Sequence, residues 1–400
     1  MGVSMTPLAL HGTGRATGFS EGSGRTLLRL RDPADTPSHA ADAALIRSTD
    51  HAVMALLQGF DTFVAIGDSE PGSGANGRRV LLDNRFSHLT PGDILALDVP
   101  TNRVRVLWRS ESNHNSFLVT ERCDHFCLMC SQPPRNVDDG WIIDEIYECL
   151  PLIDPSTKSV GFTGGETLLA PDRFIPLLGA VGRLLPHAGV HVLTNGRAFS
   201  RAAVVRNWAA LQHPDLWAGI PIYSAVDTIH DYVVQSRGAF DETVLGVLRM
   251  KDAGQRVEIR VVLHALTAPR LVETCTWLAR NMPFVDHVAL MGMEDTGFAL
   301  ANHAALWMDP LDYGPALTDG IAVLSEAGIR TSIYNLPLCV LPEGVRPWAV
   351  RSISDWKNDR PDVCSSCSAA GRCAGFFTTG KTKFSRGIQP IAEPVTFLGR

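Results

Sequence analysis

Residues 121–131 read Glu-Arg-Cys-Asp-His-Phe-Cys-Leu-Met-Cys-Ser and place three thiols close together, at Cys123, Cys127 and Cys130. The segment directly follows an apolar run at residues 117–120, which is typical of a buried strand. A loop that leaves a strand can wrap three thiolates around one corner of a cubane, and iron–sulfur clusters are held by cysteine thiolates. Three ligands for four irons leave one iron open to a small molecule. We therefore expect a 4Fe-4S cluster on this loop.

A zinc site is the alternative interpretation of the loop, because zinc also binds cysteine. A structural zinc normally takes four ligands, and the loop offers no obvious fourth, since His125 lies inside it at a spacing unlike that of a zinc finger. The loop by itself favours the cluster and leaves zinc open.

The composition of the whole chain is that of a globular protein with a large core. Its 400 residues predict two or three domains, and a net charge of -6 argues against non-specific nucleic-acid binding. The first residues do not resemble a signal peptide, and we find no apolar stretch long enough to span a bilayer. Nine cysteines in such a chain indicate metal binding or catalysis rather than disulfides, so we expect a cytoplasmic protein.

Residues 1–112 differ in pattern from the rest of the chain. Short apolar and β-branched runs alternate with turns rich in glycine and proline, and residues 38–57 have helical spacing. We expect a mostly β domain whose role is either structural or the recognition of a substrate or its leader. The predicted strands are residues 26–30, 62–66, 79–82, 94–97 and 104–108.

From residue 116 strands and helices alternate, which is typical of β-α units around a parallel sheet. Six units are enough for a partial (β/α)6 barrel of the TIM type, in which functional groups gather at the carboxyl ends of the strands. The predicted strands are residues 117–120, 159–163, 190–194, 216–224, 257–264 and 287–291. The predicted helices are residues 141–150, 171–185, 243–253 and 271–281, with another over residues 311–327 before a last strand at 330–334.

Candidate functional residues follow the later strands. Gly164, Gly165 and Glu166 come after the second strand, where glycines allow a close approach of the backbone and a carboxylate can accept hydrogen bonds from an ammonium group. In the fifth strand an arginine alternates with apolar neighbours, so that it projects either into the barrel or onto the surface. The remaining candidates lie at strand ends, and with this arginine they are Thr194, Asn195, Ser224, Arg260 and Met291.

The C-terminal segment carries a second set of cysteines with the spacing C-x24-C-x2-C-x5-C, namely Cys339, Cys364, Cys367 and Cys373. Four thiols supply a full ligand set for either zinc or an iron–sulfur cluster, and the spacing alone does not decide between them. The two cysteines that remain, Cys149 and Cys275, lie in amphipathic helical segments, so we expect them to be buried core residues.

The C-x3-C-x2-C loop after one strand and Gly-Gly-Glu after the next resemble the signature of the radical S-adenosylmethionine (SAM) enzymes. The resemblance implies that the open iron binds the amino and carboxylate groups of SAM. One electron then splits the sulfonium and releases a 5'-deoxyadenosyl radical, which abstracts hydrogen from a substrate. It also implies that Gly164, Gly165 and Glu166 contact the amino group of SAM. The other SAM contacts would be Thr194, Asn195, Ser224, Arg260 and Met291.

Residues 224–243 resemble the Ser-x-x-Asp…His-Asp…Gly-x-Phe pattern of radical SAM enzymes that modify peptides and proteins. Asp227 is the candidate catalytic base, although a His-Asp pair such as His230–Asp231 more often fixes a loop than transfers protons. The C-terminal cysteines resemble the twitch and SPASM extensions of the family, which implies one auxiliary 4Fe-4S cluster beside the substrate pocket.

Four runs together resemble the radical SAM maturases of the His-Xaa-Ser system over residues 90–390: TERCDHFCLMCSQPP, GFTGGETLL, IYNLPLC and CAGFF. Asp124 stands where we would expect Asn. The resemblance implies a precursor peptide with His-Xaa-Ser repeats as substrate and a reducing partner such as flavodoxin or ferredoxin.

The sequence thus predicts a radical SAM peptide maturase that installs an oxidative modification or crosslink. We expect three domains, at residues 1–112, 113–328 and 329–400: the β domain, the barrel and an auxiliary-cluster domain. The alternatives are radical chemistry on a small molecule, such as a nucleotide or sugar cofactor precursor, and a non-enzymatic scaffold that binds zinc.

Overall fold

The computed structural model describes residues 8–20, 22–67, 77–351, 358–377 and 385–392. The first part of the chain forms an eight-stranded mixed sheet in the order β1-β8-β7-β3-β4-β5-β6-β2. Because β1 and β2 are consecutive in the chain, residues 11–17 bring the two ends of this sheet together. Its elements are β1 (His11–Thr13), β2 (Arg15–Thr17), β3 (Arg25–Arg31), β4 (Asp42–Ile46), α1 (Thr49–Leu57), β5 (Thr62–Ile66), β6 (Arg78–Leu82), β7 (Ile94–Asp98) and β8 (Arg103–Trp108).

The five predicted strands of this part are confirmed to within one residue at either end, but the predicted helix over residues 38–57 is wrong in its first half. Residues 42–46 form β4, which is buried along its whole length between the parallel strands β3 and β5. A strand buried on both faces has no alternation, so its pattern is easily mistaken for a buried helix. The helix α1 begins only after Ser48, whose hydroxyl accepts a hydrogen bond from His51 N as an N-cap.

The second part of the chain forms a seven-stranded, all-parallel sheet whose order follows the chain from β9 to β15. The six predicted strands are confirmed, and the last strand of the prediction, near residue 331, extends the same sheet as β15. The elements are β9 (Ser116–Leu118), α2 (Trp141–Cys149), β10 (Ser159–Thr163), α3 (Pro171–Leu184), β11 (Gly189–Leu193), α4 (Ala202–Ala209), β12 (Leu216–Pro221), α5 (Asp227–Val234), α6 (Ala239–Asp252), β13 (Arg256–Leu263), α7 (Leu271–Asn281), β14 (His287–Gly292), α8 (Gly297–Ala301), α9 (His303–Leu306), α10 (Pro310–Glu326) and β15 (Thr331–Tyr334).

Helix α3 shows why these segments fold as helices against the sheet. Pro171 occupies the first turn, where its missing N–H leaves no hydrogen bond unmade, and Asp172 beside it favours the positive end of the helix dipole. Phe174, Leu178 and Val181 recur at helical spacing and are buried in the main core. Cys149 and Cys275 are fully buried in the same core, as predicted.

The N-terminal sheet packs on α2, the helix that follows the cysteine loop. The guanidinium of Arg25 lies 3.1 Å from the ring centroid of Trp141. Arg105 Nη2 contacts both carboxylate oxygens of the buried Glu145, at 2.6 and 2.8 Å. Cation–π contacts and charge-assisted hydrogen bonds of this kind fix one element on another.

A short antiparallel pair near the C-terminus consists of β16 (Asn358–Asp359) and β17 (Phe376–Phe377). Among the helices of the described residues, none combines the length and the apolar character needed to cross a membrane.

Candidate functional site

The cysteine loop connects β9 to α2 at the carboxyl end of the parallel sheet. At the end of the loop, just before α2, lies the buried Asp139. Its carboxylate accepts hydrogen bonds from two residues at the beginning of the loop, from Thr120 Oγ1 at 2.8 Å and from Glu121 N at 2.6 Å. Because a buried carboxylate needs such donors, this contact ties both ends of the loop together.

Backbone contacts from two other connections hold the top of the loop. Both connections leave the carboxyl ends of strands, one after β12 and one after β14. The hydrogen bonds run from Phe126 N to Val234 O (3.1 Å), from Leu128 N to Val233 O (2.9 Å), from Phe298 N to Cys130 O (2.8 Å) and from Asn302 Nδ2 to Leu128 O (2.8 Å). The loop is therefore a fixed part of the barrel rim.

The three loop thiols are half-buried, and they lie close enough that ionisation of one shifts the pKa of another. Burial raises the pKa of Cys123 to about 12. Burial also raises the pKa of Cys127, and the charges of Cys130 and Cys123 raise it further. The pKa of Cys130 is raised by burial as well. Without metal these groups are thiols, and metal binding to them must release protons.

The Gly-Gly-Glu segment after β10 packs directly on the cysteine loop. Gly165 N donates to Thr120 O at 2.7 Å, and Glu166 N donates to Arg122 O at 2.8 Å. A Cβ atom on Gly165 would lie 2.1 Å from Arg122 O, and one on Gly164 would lie 2.6 Å from Thr120 O. In the structure the glycines thus permit a close approach to the loop itself, whereas the sequence suggested an approach to a ligand.

The carboxylate of Glu166 binds two of the other predicted SAM contacts, Thr194 and Asn195. It is 2% exposed and accepts hydrogen bonds from Thr194 Oγ1 (2.6 Å), Asn195 N (2.6 Å) and Leu168 N (2.8 Å). Burial raises the pKa of Glu166 to about 7, although these donors act in the opposite direction. Asn195 Nδ2 in turn donates to Asp124 Oδ1 at 2.6 Å, so this group also contacts the cysteine loop.

Arg260 lies inside the barrel in a polar network that the sequence did not predict. Its Nη1 contacts Glu258 Oε1 at 2.7 Å, and Glu258 Oε2 contacts His287 Nδ1 at 2.8 Å. His287 Nε2 lies 2.9 Å from Ser332 Oγ. Burial alone would raise the pKa of Glu258, but the hydrogen bonds from His191 and His287 and the charge of Arg260 lower it well below its ordinary value. The alternative of a surface arginine is wrong, since Arg260 is only 16% exposed.

Two further predicted SAM contacts are buried near the same rim. Ser224 follows β12, and its hydroxyl accepts a hydrogen bond from Val226 N at 3.0 Å. Met291 is a buried residue of β14. Burial raises the pKa of the neighbouring Tyr223 well above its ordinary value, and Tyr223 packs in one hydrophobic cluster with Met129 and Cys127 of the cysteine loop. The end of β12 thus lies near the loop thiols.

The candidate base Asp227 is exposed at the start of α5, and its carboxylate accepts a hydrogen bond from the next backbone N–H. Among the described residues, the structure shows no hydrogen bond between the side chains of His230 and Asp231. The ring of His230 accepts from Tyr223 N at 3.2 Å, and Asp231 accepts from Phe240 N at 2.9 Å. Both side chains fix the connection between β12 and α6, and burial lowers the pKa of His230 to about 4.

The four C-terminal cysteines line one cavity: Cys339, Cys364, Cys367 and Cys373. Backbone N–H groups point at two of the sulfurs, with Leu338 N 3.4 Å from Cys373 Sγ and Ile391 N 3.3 Å from Cys367 Sγ. Burial raises the pKa of Cys339 and of Cys364. Within the described ranges, no group of three or more His, Cys, Asp or Glu side chains is arranged to hold a single metal ion.

An open groove lies between α5 and the segment that follows β13. Tyr232 of α5, which is exposed, forms one wall, and Leu266 and Pro269 form the other, with Arg270 at the rim. Since both walls follow the carboxyl ends of neighbouring strands, the groove is on the same face as the thiols.

The sequence reasoning missed several residues that shape the site. Asp139 and Arg197 act through contacts with partners 18 and 73 positions away, which no local pattern reveals. The sequence raises His125 only as a possible fourth zinc ligand, and its spacing is unlike that of a zinc finger. It is a buried residue whose pKa burial lowers to about 4, and within the described part of the chain neither of its ring nitrogens has a hydrogen-bond partner.

Several solved structures are similar to somewhat more than half of this chain. Among solved structures, the chain is similar to SuiB from Streptococcus suis bound to S-adenosylmethionine (15% identity, TM-score 0.45, covering 56% of this chain and 51% of that chain). It is also similar to anSMEcpe with bound AdoMet (16%, 0.43, 55% and 62%) and to a radical SAM methyltransferase from Sphaerobacter thermophilus (15%, 0.43, 60% and 72%). The chain spans about half the length of the SuiB chain, and no curated protein matches it.

The family model of the radical SAM superfamily matches residues 117–278. This range begins in β9, includes the cysteine loop and the Gly-Gly-Glu segment, and ends in α7. Residues 117–278 therefore form a domain of the radical SAM superfamily.

Proposed function

We propose that the chain is a radical SAM enzyme that cleaves SAM reductively and abstracts hydrogen from a ribosomally made precursor peptide. One observation carries this proposal. Seven of the nine cysteines fall into two spatial sets, a set of three on the barrel rim and a set of four around one cavity.

The rim set fits a 4Fe-4S cluster with one open iron. Cys123, Cys127 and Cys130 lie near one another on a loop that is fixed at its base and its top. A cluster on these thiolates, when bound, supplies the electron for the reductive cleavage of SAM. Each thiolate would bind a separate iron, so this geometry differs from that of a site for a single ion.

Glu166 is the residue that we propose for the amino group of SAM. A carboxylate oxygen can accept two hydrogen bonds, and Glu166 Oε2 accepts one, from Asn195 N. The second acceptor position of this oxygen suits an ammonium group. With it we propose Gly164 and Gly165, and as the remaining SAM contacts Thr194, Asn195, Ser224, Arg260 and Met291. For Arg260 the contact requires that its guanidinium serve both SAM and Glu258.

The C-terminal set fits a fully ligated auxiliary 4Fe-4S cluster. Four cysteines around one cavity provide a complete ligand set, and N–H groups directed at the sulfurs are contacts that tune the reduction potential of such clusters. Because all four positions are taken by protein, this site suits electron transfer. We propose that it accepts the electron left after hydrogen abstraction, so that the net reaction oxidises the substrate.

A peptide is the substrate that the sequence pattern of residues 224–243 favours, and we propose the groove between Tyr232 and Leu266 as a surface that contacts it. We propose a precursor with His-Xaa-Ser repeats, flavodoxin or ferredoxin as reductant, and a cytoplasmic location. Asp227, exposed at the start of α5, remains the candidate base. We also propose the division into residues 1–112, 113–328 and 329–400, with the first part available for leader recognition. The third part then begins with β15, which pairs with β14 and completes the parallel sheet of the second part.

Anaerobic incubation of the reconstituted protein with SAM, dithionite and the candidate precursor tests the proposal. Mass spectrometry should detect 5'-deoxyadenosine and a changed precursor mass. Cys127→Ala should abolish 5'-deoxyadenosine formation, whereas Cys367→Ala should retain some SAM cleavage and lose the modified peptide. Cys275→Ala, which removes a buried core thiol outside both sets, should retain both products.

Each contrary outcome has a distinct meaning. SAM cleavage by Cys127→Ala would refute the rim site. Product formation by Cys367→Ala would refute the auxiliary site. Cleavage of SAM with every candidate peptide left unmodified, together with modification of a nucleotide or sugar substrate, would replace the peptide with a small molecule.

A further inference from the structure

Two donors from one turn converge on Asp124, the residue that follows the loop ligand Cys123. Asn195 Nδ2 donates to Asp124 Oδ1 at 2.6 Å, and Arg197 Nη1 contacts Asp124 Oδ2 at 3.2 Å. A carboxylate that receives a separate donor on each oxygen is held in one orientation. Asp124 is therefore fixed by a turn that lies 71 to 73 positions away in the chain.

The turn itself is built to present these two donors. Gly196 adopts φ +80°, and a Cβ atom there would lie 2.6 Å from Ile220 Cγ2, so this position requires glycine. Arg197 N donates to Asn195 Oδ1 at 3.0 Å, which leaves the amide nitrogen of Asn195 facing Asp124. The backbone of the turn thus sets the direction of both side chains.

Arg197 also contacts Ser236, which lies between α5 and α6, and Glu242 of α6. Its Nη1 lies 3.0 Å from Ser236 Oγ, and its Nε contacts the carboxylate of Glu242 in α6. The side chain is 20% exposed, and it lies between two carboxylates, those of Asp124 and Glu242. One guanidinium therefore joins the cysteine loop to α6 and provides the positive charge in this group.

We propose that Arg197 is a positioning residue that offsets the charge of Asp124 beside Cys123, so that the Asp124–Arg197 pair sets the reduction potential of the rim cluster. Reduction adds negative charge to a cluster, and an uncompensated carboxylate nearby opposes it. The contacts around metal ligands commonly tune a site in this way. This inference rests on the proposed function, because it presupposes a cluster on the loop.

An EPR-monitored redox titration of the reconstituted holoprotein tests the inference. The wild type is compared with Arg197→Gln, Asp124→Asn and the double variant, and iron content is measured for each. We expect the rim-cluster potential to fall in Arg197→Gln and to rise in Asp124→Asn. Each shift should correspond to about a tenfold change in the reduction equilibrium, about 59 mV for one electron. The rim-cluster potential of the double variant should differ from that of the wild type by less than half of that shift.

Arg256→Gln is the matched control, because it removes the same charge from an exposed arginine that pairs with Asp215. Arg256 lies at the amino end of β13, whereas the cysteine loop lies at the carboxyl end of the sheet. Arg256→Gln should leave the potential unchanged. Equal potentials in Arg197→Gln, Asp124→Asn and the wild type would overturn the inference. If Arg197→Gln loses the cluster, retention in the double variant supports the charge argument, and loss in both overturns it. A wild type without any cluster signal would instead refute the proposed function.

Discussion

The substitution Gly165→Ala tests whether the Gly-Gly-Glu segment holds the cysteine loop in place. The new Cβ would lie 2.1 Å from Arg122 O and 3.1 Å from Cys123 Cβ, and contacts under 3.0 Å essentially do not occur. Arg122 O is a backbone atom, so relief requires the loop backbone to move by about 0.9 Å. That movement weakens the hydrogen bond from Glu166 N to the same oxygen, now 2.8 Å long.

We expect Gly165→Ala to lower the free energy of unfolding by about 1–3 kcal/mol, as overpacking of this size usually does. A displacement near 1 Å at a reacting centre lowers rates by about 100-fold, so 5'-deoxyadenosine formation should fall to that extent. The assays are urea unfolding of the apoprotein and mass spectrometry of anaerobic SAM cleavage.

Gly24→Ala provides the control for Gly165→Ala, because a Cβ at Gly24 meets nothing within 4 Å. It should leave both measurements close to wild type. If Gly165→Ala cleaved SAM at the wild-type rate with wild-type stability, the contact between Gly165 and Arg122 would not be what positions the loop.

Three further substitutions test the electrostatics of the fold. Folded Glu166 keeps its proton up to about pH 7, against 4.5 in the unfolded chain, so the unfolding free energy should fall by about 3 kcal/mol as pH rises through that window. Glu166→Gln should remove this slope in urea titrations, and an unchanged slope would contradict the shift. Burial lowers the pKa of His264 to about 4, so the folded state binds fewer protons than the unfolded state below pH 6.5. The unfolding free energy of the wild type should therefore decline from pH 6.5 toward pH 4. In His264→Asn, whose amide oxygen can still accept a hydrogen bond from Leu266 N, this decline should be smaller by about 3 kcal/mol. Glu145→Gln removes the charge from a buried carboxylate that binds Arg105, and it should lower the unfolding free energy by about 2 kcal/mol. No loss in that variant would mean that this ion pair does not stabilise the interface with α2.

Local patterns were sufficient for most of the sheet. The alternation in β10, whose residues are buried in turn, and the apolar runs before the cysteine loop indicated the parallel strands directly. In β4 apolar and polar residues do not alternate, because a strand covered on both faces shows only a continuous apolar run. The spacing of apolar residues there predicted a helix instead of a strand. Burial of Cys149 and Cys275 followed from their place on amphipathic helices.

The sequence patterns did not predict the contacts between residues far apart in the chain. The motif Gly164–Glu166 was recognised, but its packing on Thr120 and Arg122 depends on the register of β9 against β10. The pairing of Arg260 with Glu258 depends on which face of β13 points into the barrel. Motifs therefore indicated which residues belong to the site, whereas partners and orientation required the folded chain.

Iron content and EPR of the anaerobically prepared protein, with and without SAM, test the central claim most directly. We predict about eight irons per chain, consistent with two 4Fe-4S clusters, and a signal from one cluster that changes when SAM is added. In Cys127→Ala the SAM-sensitive signal should be absent and the other should remain. A colourless protein that contains zinc, or cluster signals that SAM leaves unchanged, would contradict the claim that the rim cysteines hold a cluster with an open iron.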